Sequence, residues 1–106
     1  MPVETLPDVG VSREVKLQPP YHVVLLDDQD HTYEYVIEML GKIFGHSMER
    51  AFLMAREVDT AGRVNVWTGP LEQAEHKRDL IHGYGADPRI PRCRGSMSAI
   101  IEPAEG

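Results

Sequence analysis

The sequence holds a single cysteine, Cys93, among its 106 residues. One thiol excludes an internal disulfide and any zinc site built from several cysteines. No apolar run approaches the roughly 20 residues that span a bilayer. The first residues also lack the basic segment and apolar run of a secretory signal. We therefore expect a cytoplasmic protein that is not inserted in a membrane.

Positive charge is also scarce. The chain carries 17 acidic side chains against 11 lysines and arginines, which gives a formal net charge of −6. A general nucleic-acid binder needs a basic surface that releases counterions from phosphates, so that class is excluded. The length predicts one domain, and the hydrophobic fraction of 42% is ordinary for a globular fold.

The first part of the chain differs in composition from the rest. Prolines stand at positions 2, 7, 19 and 20, and the apolar residues show no sustained period of 2 or 3.6. This composition predicts a flexible N-terminal extension over residues 1–20. We expect the folded domain over residues 21–103, with residues 104–106 as the C-terminal end.

Three short segments have the character of β-strands. Residues 21–26 form an aliphatic run, and residues 63–68 and 96–102 alternate polar with apolar positions. Three stretches between them show apolar residues at helical spacing. The predicted order is therefore β-α-α-β-α-β, and the fold class is α+β: a three-stranded antiparallel sheet packed on three helices.

Capping residues mark the ends of the predicted helices. Thr32 and Ser47 are suited to be N-caps of the first two helices. Gly45 and Gly62 stand where these helices are expected to stop. Pro70 is predicted at the first position of the third helix, where its missing N–H costs nothing.

An acidic turn follows the first predicted strand. It contains Asp27, Asp28, Asp30 and His31. The simplest interpretation is a solvated turn, because aspartate readily bonds its own backbone. Another interpretation is an acidic metal-binding or phosphoacceptor domain that uses Asp27, Asp28 and Asp59 and binds magnesium. The turn lacks the glycine and the distal glutamate of a calcium-binding hand.

No local motif indicates an enzyme. Cys93 has no CxxC partner, and no arrangement of serine, histidine and aspartate resembles a hydrolase elbow. The five histidines form no tight ligand motif. We therefore predict no catalytic residue, no bound metal and no cofactor.

The chain resembles the ClpS family, the adaptors that deliver substrates to Clp AAA+ unfoldases and proteases. The resemblance runs from residue 21 to about residue 85 and again over residues 97–102. Its motifs lie at residues 18–21, 23–28, 34–40, 49–51 and 62–63. It implies the same sheet on three helices, in a monomer that binds the N-terminus of N-degron substrates.

The resemblance also implies which residues bind the two partners. The acceptors for the substrate's free N-terminal amine are Asp27, Asp28 and Asp59. The hydrophobic pocket and its gate are His31, Tyr33, Val36, Ala55, Val58 and Met97. Docking on the N-domain of a ClpA- or ClpC-type unfoldase falls to Glu72 and Lys77. An α-ammonium needs acceptors close together, and its side chain needs an apolar cavity.

Several of these positions depart from the family pattern. The departures are Asp27 and His31 where asparagine and threonine are usual, Gln29 where aspartate is usual, Tyr33 and Ala55 in place of two methionines, and Asp59 in place of a histidine. Ala55 is expected to enlarge the cavity, and Tyr33 is expected to narrow or roof its mouth. An alternative is therefore a divergent ClpS paralogue that docks on the unfoldase without reading N-termini.

Overall fold

The structure is a computed structural model that describes residues 19–104. Most of the predicted N-terminal extension, residues 1–18, therefore lies outside the described residues, as do residues 105 and 106. Within the described part, the elements follow the order β-α-α-β-α-β. This order and the α+β fold class confirm the prediction.

A three-stranded antiparallel sheet has β1 (Tyr21–Leu26) as its central strand. β2 (Arg63–Gly69) and β3 (Ala99–Pro103) pair with its two edges. The three aliphatic residues 23–25 of the central strand are almost completely buried. The aliphatic run in the sequence is thus the strand with a neighbour on each side.

Three helices complete the fold: α1 (Tyr33–Phe44), α2 (Met48–Ala61) and α3 (Leu71–His82). The predicted caps define the first two. The hydroxyls of Thr32 and Ser47 each accept a hydrogen bond from the backbone N–H three residues later, at 3.1 Å. The glycines that follow α1 and α2 have φ angles of 76° and 87°, which favour a residue without a Cβ atom.

Two element boundaries differ from the prediction. Pro70 is the N-cap of α3 and not its first residue, a shift of one position within the same turn. β3 begins at Ala99 and not at residue 96. The hydroxyl of Ser96 accepts a hydrogen bond from the N–H of Gly85 at 2.6 Å. Residue 96 is thereby held against the preceding loop and not in the strand ladder.

The hydrophobic core lies between the sheet and the helices. It combines the inward residues of all three strands with the buried faces of the helices. The stripes predicted from helical spacing supply most of these contacts, for example Val36 and Leu40 in α1 and Ala55 and Val58 in α2. Among residues 19–104, no helix combines the length and apolar character needed to cross a bilayer.

Candidate functional site

A small cavity lies where four separate segments of the chain meet. It is lined by the turn after β1, the start of α1, the second half of α2 and the segment that precedes β3. Its lining residues are Asp27, Asp28, His31, Thr32, Tyr33, Val36, Ala55, Val58, Asp59 and Met97. The fold thus brings together all nine residues that the family resemblance implied for amine binding and for the pocket, and adds Thr32.

The cavity has an apolar floor and an acidic rim. Val36, Ala55, Val58 and Met97 are each at most 4% exposed. The three aspartates at the rim are exposed to solvent. An apolar surface beside several carboxylates is a suitable site for a cation that carries an apolar group.

Asp28 is the most firmly positioned of the three aspartates. Its carboxylate accepts a hydrogen bond from the N–H of Asp30 at 2.9 Å and one from Nδ1 of His31 at 2.8 Å. The other ring nitrogen of His31 lies 2.8 Å from the carbonyl oxygen of Gly95. The thiol sulfur of Cys93 lies 3.3 Å from the same nitrogen. His31 therefore orients Asp28 and is itself buried behind it.

Asp59 is engaged across the cavity by Tyr33. The Tyr33 hydroxyl donates a hydrogen bond to Oδ2 of Asp59 at 2.8 Å. This hydrogen bond raises the pKa of Tyr33, because the neutral hydroxyl is the form that can donate to the carboxylate. A side chain from the start of α1 thus reaches the last turns of α2 and roofs the cavity.

The cavity in this closed arrangement is small, with a volume of about 40 Å³. On the same scale, one water molecule needs about 10–15 Å³, and a cavity that binds benzene has roughly 150 Å³. The site has room for a few water molecules but not for a bulky side chain. A ligand with such a side chain requires the cavity to widen, for example by movement of Tyr33 away from Asp59.

Asp87, which the sequence analysis missed, anchors the loop beside the cavity. Burial alone would raise the pKa of this carboxyl, but hydrogen bonds from Thr32 and Arg89 lower it to about 2. Both the N–H and the hydroxyl of Thr32 donate to it at 2.8 Å. These hydrogen bonds join Thr32 and Asp87, which are 55 positions apart, and no local pattern in the sequence predicts that the two residues are in contact.

One arginine of the loop at residues 86–95, Arg92, contacts the acidic turn. Arg92 donates to the carboxylate of Asp30 at 2.6 Å and to the carbonyl oxygen of Gln29 at 2.7 Å. Arg89 binds Asp87 at 3.2 Å. These contacts place positive charge beside the turn but outside the residues that line the cavity.

The two predicted docking residues occupy different environments on α3. Glu72 is exposed. Lys77 is partly buried, donates to the carbonyl oxygen of Ile43 at 3.2 Å, and lies 5.5 Å from the ring centre of Phe44 and 5.9 Å from that of Trp67. Lys77 therefore also has a structural role, at the C-terminal end of α1, where a cation is favourable.

The metal interpretation of the acidic residues finds no support in the geometry. Within residues 19–104, no three side chains of histidine, cysteine, aspartate or glutamate lie close enough together to bind a metal ion. The antiparallel sheet also differs from the alternating strands and helices of a phosphoacceptor receiver. The fold and the cavity instead define a small α+β domain with an acid-rimmed hollow.

Comparison with known proteins identifies the family. The family model "ATP-dependent Clp protease adaptor protein ClpS" matches residues 16–89. The ClpS adapter of Nautilia profundicola is 33% identical over 102 residues, which cover 96% of this chain and 98% of that protein. The ClpS adapter of Thermosynechococcus vestitus is 34% identical over 79 residues, covering 72% and 84%. The chain belongs to the ClpS family, a family of protease adaptors.

A solved structure shows the same fold. Agrobacterium tumefaciens ClpS2, bound to L-phenylalaninamide, superposes with a TM-score of 0.66 and covers 81% of this chain and 98% of its own. The two sequences are 22% identical. The arrangement of three helices on a three-stranded sheet is therefore shared despite extensive sequence divergence.

Proposed function

We propose that this protein binds N-degron substrates by their free N-terminal amine and delivers them to a Clp AAA+ unfoldase, without catalytic activity of its own. The observation that carries the proposal is the meeting of Asp27, Asp28 and Asp59 at the rim of one apolar-floored cavity. A substrate α-ammonium presents up to three N–H donors and one positive charge. Carboxylates from two chain segments supply the acceptors for it.

The bound ligand of the structural relative has matching chemistry. L-Phenylalaninamide, held by Agrobacterium tumefaciens ClpS2, combines a free α-amine with an apolar aromatic side chain. In this chain, the rim carboxylates suit the amine, and the floor formed by Val36, Ala55, Val58 and Met97 suits the side chain.

Delivery can be tested by reconstituted degradation. A labelled substrate that begins with a free N-terminal leucine or phenylalanine is incubated with a Clp unfoldase and protease, with and without this protein. The proposal predicts faster degradation of that substrate when the protein is added. Unchanged degradation across ClpA- and ClpC-type unfoldases would contradict it.

The closed cavity favours a second candidate function. If the hydrogen bond between Tyr33 and Asp59 never opens, the protein is a ClpS paralogue that docks on the unfoldase without reading N-termini. Under the first proposal, this bond competes with the ligand for Asp59. The two candidates therefore differ in what the removal of the Tyr33 hydroxyl does.

Replacing Tyr33 by phenylalanine is expected to raise the affinity for a free-amine peptide by about tenfold. The variant keeps the ring but releases Asp59, and a hydrogen bond to a charged group contributes on the order of 1.5 kcal/mol. Fluorescence anisotropy with a labelled peptide measures the change. Tyr84→Phe, outside the cavity lining, is the matched control. No measurable binding by the wild type, with or without binding by the Tyr33→Phe variant, would favour the paralogue.

Docking through α3 gives a further prediction. We expect the double charge reversal Glu72→Lys and Lys77→Glu to weaken binding to an unfoldase N-domain by at least tenfold, through repulsion at a charged interface. Because Lys77 also binds the Ile43 carbonyl, Lys77→Met serves as a second variant that removes the charge but keeps an apolar stem over the rings. Lys42→Glu, on the exposed side of α1, is the control, and equal affinities in surface plasmon resonance contradict this role.

A further inference from the structure

An apolar groove on the helical surface has no role in the function proposed so far. It is lined by Ile37 of α1 and by Met48, Glu49, Phe52 and Leu53 of α2, and its volume is about 410 Å³. Among residues 19–104, five large hydrophobic side chains are exposed, and three of them lie here: Met48 at 75%, Leu53 at 54% and Phe52 at 42%. A cluster of exposed apolar side chains is typical of an interaction site.

The groove lies beside the cavity on the same two helices. The rings of Tyr33, which roofs the cavity, and Phe52, which lines the groove, are in contact with their centres 5.8 Å apart. Ile37 follows Tyr33 by one turn of α1. The same two helices therefore line both features, the cavity with the start of α1 and the second half of α2, and the groove with the neighbouring turns.

The distance between the two features can be expressed in substrate residues. Asp59 and Phe52 are seven positions apart on α2, about 10.5 Å along the helix axis. An extended peptide advances about 3.3 Å per residue. A chain whose terminal amine lies at Asp59 therefore reaches Phe52 with about its fourth residue. It reaches Met48, about 16.5 Å away by the same measure, with about its sixth.

We propose that this groove binds apolar side chains at the fourth to sixth positions of the same substrate whose N-terminal amine enters the cavity. The inference rests on the proposed function and extends it from the first residue to a longer segment. The occupant is an extended peptide that runs from the C-terminal half of α2 towards its N-terminus. Its apolar side chains cover Phe52, Leu53 and Met48.

The test uses two peptides with the same first three residues and a free amine. One peptide has leucine at positions four and six, and the other has serine there. We expect the leucine peptide to bind about tenfold more tightly in fluorescence anisotropy, since burial of such side chains on this surface is favourable. The Met48→Ser/Leu53→Ser variant, which changes only exposed residues and leaves Phe52 in place, should abolish the difference.

Leu80→Ser, an exposed apolar residue of α3 outside the groove, should keep the tenfold preference. The groove inference is overturned if both free-amine peptides bind the wild type equally, or if the preference persists in the Met48→Ser/Leu53→Ser variant. Acetylated versions of both peptides distinguish a failure of the groove inference from a failure of the proposed function. A free-amine preference without a leucine preference overturns the groove alone. Equal binding of acetylated and free peptides overturns the proposed function and the groove inference that rests on it.

Discussion

Replacement of Asp28 by asparagine is expected to lower the affinity for a free-amine peptide by tenfold to a hundredfold. The carboxylate supplies a charge-assisted hydrogen bond to the ammonium, and loss of such a bond costs about 1.5–3 kcal/mol. Asparagine retains an oxygen that can accept from the Asp30 N–H and from His31, the two contacts that position Asp28. The effect is therefore expected on binding and not on the turn. Isothermal titration calorimetry measures it.

The matched control is Asp30→Asn. Asp30 belongs to the same turn but does not line the cavity, and its carboxylate binds Arg92. Both variants remove one negative charge, so a general electrostatic effect lowers both affinities equally. A specific acceptor role affects Asp28 alone. Equal affinities of Asp28→Asn and the wild type would contradict the role of Asp28 as an acceptor for the amine.

The Asp87→Ala substitution is expected to reduce the free energy of unfolding by about 3 kcal/mol at pH 7. It removes the acceptor for the N–H and hydroxyl of Thr32 and for the N–H of Arg89, all in a buried setting. Thr32 is the N-cap of α1, so the loss weakens both the loop and the start of the helix. Urea denaturation followed by circular dichroism measures the difference.

The contribution of Asp87 depends on pH in a defined direction. Its pKa is lowered to about 2 in the folded protein from an ordinary value of 3.8, so the ionised form stabilises the fold above pH 4. This stabilisation is lost as the pH falls from about 4 to about 2. The difference between the wild type and Asp87→Ala should shrink over that window. Asp79→Ala, an exposed carboxylate, should show neither effect, and a pH-independent difference contradicts an ionised Asp87.

Local signals predicted most of the fold. The hydroxyls of Thr32 and Ser47 satisfy N–H groups of the next turn, and Gly62 ends α2, all within a few residues of sequence. Such interactions depend on neighbours along the chain and can be inferred from it. The start of β3 was predicted three residues too early because the contact of Ser96 with Gly85 lies outside the pattern of the strand itself.

The site required information that local patterns do not contain. The residues that line the cavity could be predicted only from the resemblance to ClpS. The aspartates of the cavity lie on two segments that are distant in sequence, and no local pattern connects them. The closure by Tyr33 and Asp59 joins positions 26 apart, and the anchor by Asp87 joins positions 55 apart. These contacts depend on the packing of α1 against α2 and on the course of the loop after α3. Neither follows from hydrophobic periodicity or from charge.

The most direct test of the account is a calorimetric titration of the wild-type protein with paired peptides that differ only at the N-terminal nitrogen. One member carries a free amine and the other an acetyl group, with every residue type in turn at the first position. The account predicts heat of binding for free-amine peptides with apolar first residues and a loss of at least a hundredfold in affinity on acetylation. Equal affinity of both members, or no binding of any free-amine peptide, would contradict the claim that these aspartates recognise a cationic chain end.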